Sequence, residues 1–227
     1  MTKTEIKELF FSKGADLCGI APIDRFSDAP KGFHLTDVLP TCKSVISFAL
    51  RFPASVLACK NSIPYTLVRN TITPKMDRIA MECCVDLEKQ GGILAVPIPT
   101  NDSRLDERTG RFRSIVSQKH AAQAAGLGTI GRNSLLITPE FGSMVWLGCV
   151  LTEIALEPDQ LKDPVCDACG LCVEVCPVNA LENMELAQES CWNHAFGDKD
   201  GTWQIHCHNC RDVCPYNLGS ENKAMVR

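Results

Sequence analysis

Residues 166–177 read CDACGLCVEVCP, that is Cys166-x2-Cys169-x2-Cys172-x3-Cys176-Pro177. A second run, Cys207-x2-Cys210-x3-Cys214-Pro215, follows, with Cys191 upstream of it. Together they supply eight thiols, the number that two 4Fe-4S cubanes need. In this spacing three thiolates wrap one cubane from a tight loop, and the fourth, past a turn, ligates the other cluster. The proline then opens a helix without needing its missing N–H. The spacing therefore assigns Cys166, Cys169, Cys172 and Cys214 to one cluster, and Cys176, Cys191, Cys207 and Cys210 to the other. The second run carries Gln204 where an in-line cysteine would stand. Cys191 is the substitute, with His206 or His208 as alternatives, because imidazole ligates some iron–sulfur centres. Zinc wants two separated cysteine pairs, which these runs fit less well than a cubane.

The rest of the composition is that of a globular chain. Of 227 residues, 45% are hydrophobic and 22% charged, and 14 are cysteine. Lys3, Glu5, Lys7 and Glu8 break any apolar run near the N-terminus, so no signal peptide is expected. No apolar stretch has membrane-spanning length. The reading is a cytoplasmic protein without membrane contact, in which thiols stay reduced and act as ligands, core residues or redox groups. Cys18, Cys83 and Cys149 lie in apolar runs and are expected in the core. Cys42 and Cys59 are expected in loops, where they are merely tolerated in a reducing compartment or, as the alternative, open to reaction.

Charge is uneven. Residues 1–155 hold 18 Lys/Arg against 15 Asp/Glu, and residues 156–227 hold 5 against 12. An acidic C-terminal third argues against gripping a phosphate backbone, so tRNA is not expected as a partner. The one basic stretch is Arg104, Arg108, Arg111, Arg113 and Lys119, read as a solvated loop or as a contact for an anionic ligand or RNA.

Periodicity places a helix over 3–13, strands over 17–21, 44–50 and 93–98, and helices over 75–90 and 115–125. The apolar runs 134–137 and 144–151 suit a pair of strands. Alternating helices and strands imply a layered α+β or α/β domain over residues 1–157. Residues 158–227 form a small cysteine-rich module that lacks a core of its own.

Gly126-Leu127-Gly128-Thr129-Ile130-Gly131 spells the dinucleotide pattern G-x-G-x-x-G. Such a site needs a strand before the motif and a helix after it. Here the order is reversed, so the pyrophosphate would meet no helix N-terminus. The glycines instead allow a sharp turn or close approach to a ligand.

The segments KHAAQAAGLGTIGRNSLLI (119–137) and GSMVWLGCVLTE (142–153), followed by the double cysteine run, resemble the epoxyqueuosine reductase family, which shares a core with the reductive dehalogenases. The matching residues are Ala125 to Gly128, Gly131-Arg132-Asn133, Leu147-Gly148 and the cluster cysteines, Cys191 included. The resemblance implies a nitroreductase-like α/β domain followed by a bacterial-ferredoxin-like module with two 4Fe-4S clusters. It also implies a cobalamin between them, approached by Gly126, Leu127, Gly128, Gly131 and Asn133. The family's proton-donor aspartate aligns with Phe112, and no Asp-x-x-Pro stands in that segment. The chain is read as a short form without the C-terminal helical-repeat extension of the tRNA-acting members.

These expectations describe an oxidoreductase that passes electrons from a low-potential donor through two clusters to a cobalamin, which reduces a small or medium-sized acceptor. His120, Tyr65 and Lys119 are candidate acids, since a donor must come within hydrogen-bond reach of substrate. One alternative is an electron-transfer protein serving a corrinoid protein or a flavin partner, with the acidic module as its docking face. The other is an FMN-binding flavin reductase.

Overall fold

The computed structural model describes residues 1–219 other than 108, 184 and 200. The N-terminal helix α1 (Lys3–Ser12) is capped by Thr2, whose Oγ1 accepts from the Glu5 N–H while the Glu5 carboxylate accepts from the Thr2 N–H. This reciprocal pair satisfies two helix-end donors. Ile6 and Phe10, one turn apart, are buried on its inner face.

Strands β1 (Leu17–Pro22), β2 (Ser44–Arg51) and β3 (Ala95–Ile98), with the later β8 (Val145–Thr152), form one sheet in the order β1-β2-β8-β3. Every pairing in it is antiparallel. Helix α2 (Ile63–Gly91) lies between β2 and β3 in sequence, and α3 (Gln118–Ala124) follows β3. Side chains alternate across a strand, and both faces of this sheet are covered. Ile20, Ile46, Phe48, Leu50 and Val150 share a core with α1 and α2. Ala21, Val45, Cys149 and Leu151 share another with Ala121 and Ala125 of α3 and its C-cap. Burial on both faces explains why residues 44–50 are an unbroken apolar run rather than an alternating one.

Helix α2 begins at Ile63, well before the expected start at residue 75, and runs through Pro74. Proline favours a helix's first turn, so the sequence pattern stops there. The helix continues because the side chains around the break are held by the core, with Ile72 and Met76 buried and the Thr73 hydroxyl donating to the Arg69 carbonyl.

Between β3 and α3, the stretch expected as a loop is a hairpin of β4 (Arg104–Asp106) and β5 (Arg111–Arg113). Arg108 lies outside the described residues. The runs 134–137 and 144–151 do not pair with each other. The short β7 (Leu136–Ile137) pairs with β6 (Thr129–Ile130), while β8 is central in the main sheet. The turn between them closes on itself through Thr138 and Gly142, which lets β8 leave for the larger apolar surface.

The cysteine-rich segment carries α4 (Leu171–Glu174), α5 (Gln188–Ala195), the hairpin β9 (Phe196–Lys199) with β10 (Thr202–Ile205), and α6 (Asn209–Asp212). It docks on α2: the Ile205 N–H donates to Thr66 Oγ1 at 3.0 Å, and Ser62 Oγ to Gln204 Oε1 at 3.2 Å. No helix among the described residues is long and apolar enough to cross a membrane.

Candidate functional site

The loop 166–170 turns tightly because Ala168 and Gly170 take left-handed backbone angles (φ 58° and 86°). Asp167 fixes it, accepting from the Cys169 N–H at 3.1 Å and from the Tyr216 hydroxyl at 3.0 Å. Cys166, Cys169, Cys172 and Cys214 line one cavity, together with Arg132, Asn133 and Tyr216. Three of these thiols come from the first run and the fourth from the second. The Arg132 N–H donates to Cys166 Sγ at 3.4 Å.

The other four cysteines are half-buried. Cys191 lies within electrostatic reach of Cys207 and Cys176, and Cys210 within reach of Arg211, Cys191, Cys207 and, from the first run, Cys172. The Ala180 N–H donates to Cys176 Sγ at 3.3 Å. Burial raises the thiol pKa of Cys172, Cys191 and Cys214, and pushes Cys210 up to about 12. Neighbouring cysteines raise each of them further. Partly buried thiols that each discourage their neighbours from ionising suit a cationic iron core, since a metal deprotonates a coordinating thiol outright. Among the described residues, no three His, Cys, Asp or Glu side chains close on the position of a single ion.

The six remaining cysteines divide by burial. Cys18, Cys42, Cys83, Cys84 and Cys149 are buried, and Cys59 is exposed. Burial raises the thiols of Cys18 and Cys149 strongly, and pushes those of Cys83 and Cys84 up to about 12. Cys42, expected in a loop, sits in the core beside β2 with its thiol donating to the Ser44 carbonyl. In cluster-loaded protein, iodoacetamide followed by peptide mass mapping is expected to modify Cys59 first and leave these five unlabelled until unfolding.

The glycine loop closes α3. The Gly126 N–H donates to the Gln123 carbonyl and the Leu127 N–H to the Ala122 carbonyl, a Schellman end with Gly126 at φ 72°. A Cβ on Gly126 would stand 2.2 Å from the Gln160 carbonyl oxygen, and one on Gly128 2.3 Å from that of Ile137. The close approaches are therefore made by the chain's own backbone. At Gly131 the neighbour is the Ile137 side chain, and Leu127 is buried. Asn133 is also buried; its Nδ2 donates to the Cys210 carbonyl at 3.2 Å and its Oδ1 accepts from the Leu135 N–H. Adjacent residues thus hold both cysteine runs, Arg132 through Cys166 and Asn133 through Cys210.

The three candidate acids are not brought together. Lys119 and His120 are on α3, and Tyr65 is on α2 across the sheet. Lys119 Nζ donates to Ser134 Oγ at 2.5 Å, and burial lowers its pKa. His120 Nδ1 lies 2.7 Å from Ser117 Oγ. Tyr65 is buried with its ring stacked on His208 at 4.6 Å, and burial raises its pKa.

Sequence reading missed a ladder of rings. Phe112 stacks on Trp192 at 4.4 Å, Trp192 on Phe196 at 4.4 Å, and Phe196 on Trp203 at 6.0 Å. The Arg69 guanidinium covers the far end, 4.9 Å from the Trp203 ring centroid. The Phe112 N–H donates to Gln188 Oε1 at 2.7 Å, and Arg111 pairs with Glu185. The hairpin is thereby fastened to α5, beside Cys191. The only signal was Trp192 standing next to a ligand candidate.

A family model described as a 4Fe-4S binding domain matches residues 165–182. The epoxyqueuosine reductase of Prochlorococcus marinus (strain NATL2A) is 35% identical, across 94% of this chain and 77% of its own length. The chain belongs to the epoxyqueuosine reductase family. Against other curated epoxyqueuosine reductases it spans 50–65% of their length. A solved epoxyqueuosine reductase with an epoxyqueuosine-modified tRNA-Tyr stem loop superposes over 96% of this chain and 66% of that one, at TM-score 0.65 and 23% identity. A reductive dehalogenase superposes over 96% of this chain and 32% of its own, at TM-score 0.72 and 18% identity. At these identities the likeness is one of fold.

The tRNA-bound epoxyqueuosine reductase overturns the expectation set against tRNA. That expectation rested on summed charge, whereas a phosphate backbone meets the local field of one surface. Arg104, Arg111 and Arg113 are presented on a single hairpin, where Arg111 pairs with Glu185 and Arg113 with Asp106.

Proposed function

We propose that this chain is the electron-carrying core of an iron–sulfur reductase whose acceptor is an epoxide carried on tRNA. One 4Fe-4S cluster sits on Cys166, Cys169, Cys172 and Cys214, and the other on Cys176, Cys191, Cys207 and Cys210. The observation that carries the reading is the cavity lined by three thiols of the first run and one of the second. Reduction of an epoxide to an alkene consumes two electrons and two protons and releases water; two clusters, each passing one electron, supply the pair. Cys169 of the first group is exposed, and in this reading electrons enter there, at the first cluster, and leave through the second.

Residues 1–157 are the layered, nitroreductase-like domain of this reading, and 158–227 the cluster module. Cobalamin is what the family resemblance adds. At the loop singled out for it, Gly126 and Gly128 approach the chain's own carbonyls and Asn133 donates to that of Cys210, while Ala125, Gly126 and Leu127 line a cavity of about 550 Å³. No step of the reaction rests on that loop.

Anaerobic reconstitution with iron and sulfide tests the reading, followed by single-turnover assay of reduced protein on epoxyqueuosine-containing tRNA and, separately, titration with hydroxocobalamin. Two clusters per chain and conversion of the tRNA support it. Loaded clusters that reduce only a partner's flavin or corrinoid point to the electron-transfer alternative. Charge reversal at Arg104 and Arg113 is expected to weaken tRNA binding about tenfold at moderate salt and to flatten its salt dependence, as loss of phosphate contacts does.

A further inference from the structure

Arg211 follows Cys210 on α6 and is 8% exposed. Its Nη1 donates to the Ser143 carbonyl, and its guanidinium lies 5.0 Å from the centroid of the Phe52 ring. Among the described residues no carboxylate pairs with it. Asp212, next in the chain, is exposed. A buried charge is costly unless it is paired. One carbonyl and one aromatic face offset part of that cost, but neither carries a net negative charge. The same element holds Cys210, and Tyr65, packed beside it, feels both Arg211 and the thiols of Cys207 and Cys210.

We propose that the counter-charge of Arg211 is the thiolate-ligated cluster on Cys176, Cys191, Cys207 and Cys210, and that this fixed cation raises the reduction potential of that cluster. The inference rests on the two-cluster reading above. Reduction adds one electron and so one negative charge to the cluster, with no bond made or broken. A cation held beside it favours the reduced form, and burial leaves little water or salt to screen the effect. Arg211 thereby draws electrons from the first cluster toward the second. It is a positioning charge and touches no reacting atom.

The test is a redox titration of the full reconstituted chain, followed by EPR, with iron and sulfide counted for each variant. R211M is expected to keep its iron and sulfide and to shift one of the two reduction steps lower. The shift corresponds to a tenfold or greater loss in the one-electron equilibrium constant, ~59 mV. R211K, which keeps the charge, is expected to leave that step near its original position. R211Q removes the charge but keeps an N–H donor for the Ser143 carbonyl. It is expected to lower the same step, and it serves where R211M fails to fold. Fully loaded variants with both steps unmoved overturn the inference and leave the cluster reading intact, as does an equal shift in R211K. Wild-type protein that takes up no iron and sulfide overturns the cluster reading itself.

Discussion

Replacing Cys214 with serine is expected to remove about half of the iron and sulfide from the reconstituted protein, and the half it removes belongs to the first cysteine run. Cys214 stands in the second run by sequence, yet its thiol lines the cavity of Cys166, Cys169 and Cys172. Two ligands of one cluster form a unit, so their effects do not add. The C169S/C214S pair should therefore lose no more iron than either single variant. C191S/C214S strikes both groups and should lose nearly all of it. The EPR signal that survives C214S should be the one that disappears in C191S. If C169S and C214S each cost a different half, the crossed arrangement is wrong and each run holds its own cluster.

Gly126→Ala is expected to cost about 3 kcal/mol or more of stability. A left-handed backbone angle costs an L side chain roughly 1–2 kcal/mol, and overpacking a filled site adds about 1–3 kcal/mol. Here the obstacle is the Gln160 carbonyl, 2.2 Å from the new Cβ, and backbone yields less readily than a flexible side chain. Gly128→Ala meets the Ile137 carbonyl at a normal backbone angle and should cost the overpacking share alone. Anaerobic urea unfolding of the cluster-loaded variants measures both. A G126A protein of unchanged stability that no longer binds a cofactor would mean the loop faces a ligand after all.

Much of the central sheet was legible because its strands bury both faces, and 17–21, 44–50 and 144–151 are continuous apolar runs. Helix α2 was half legible. Its later turns show an apolar period of four, but Pro74 reads as a beginning, and only tertiary packing carries the helix through it. The hairpin at 104–113 was invisible. Its strands are short and charged, and what holds it, Gln188 and Glu185, lies far along the chain. The same distance hid the ring ladder, whose members at 112, 192, 196 and 203 share no period. Spacing grouped seven of the proposed cluster ligands and counting added Cys191, because ligand spacing is local to each loop. The purpose of the glycines was not readable, since a glycine announces a close approach without naming what approaches. Summed charge misled on tRNA for a related reason: it has no direction.

The cavity of the first run is closed by a thiol that the ribosome makes much later, near residue 214. During synthesis Cys166, Cys169 and Cys172 emerge together but incomplete, and Cys176 waits equally for Cys191, Cys207 and Cys210. On this assignment the second group is complete at Cys210, before Cys214 completes the first. A nascent chain stalled before Cys207 would display unligated thiols that iron can visit but not settle in. On the two-cluster reading, loading of the first group waits until translation has passed α6 and reached Cys214.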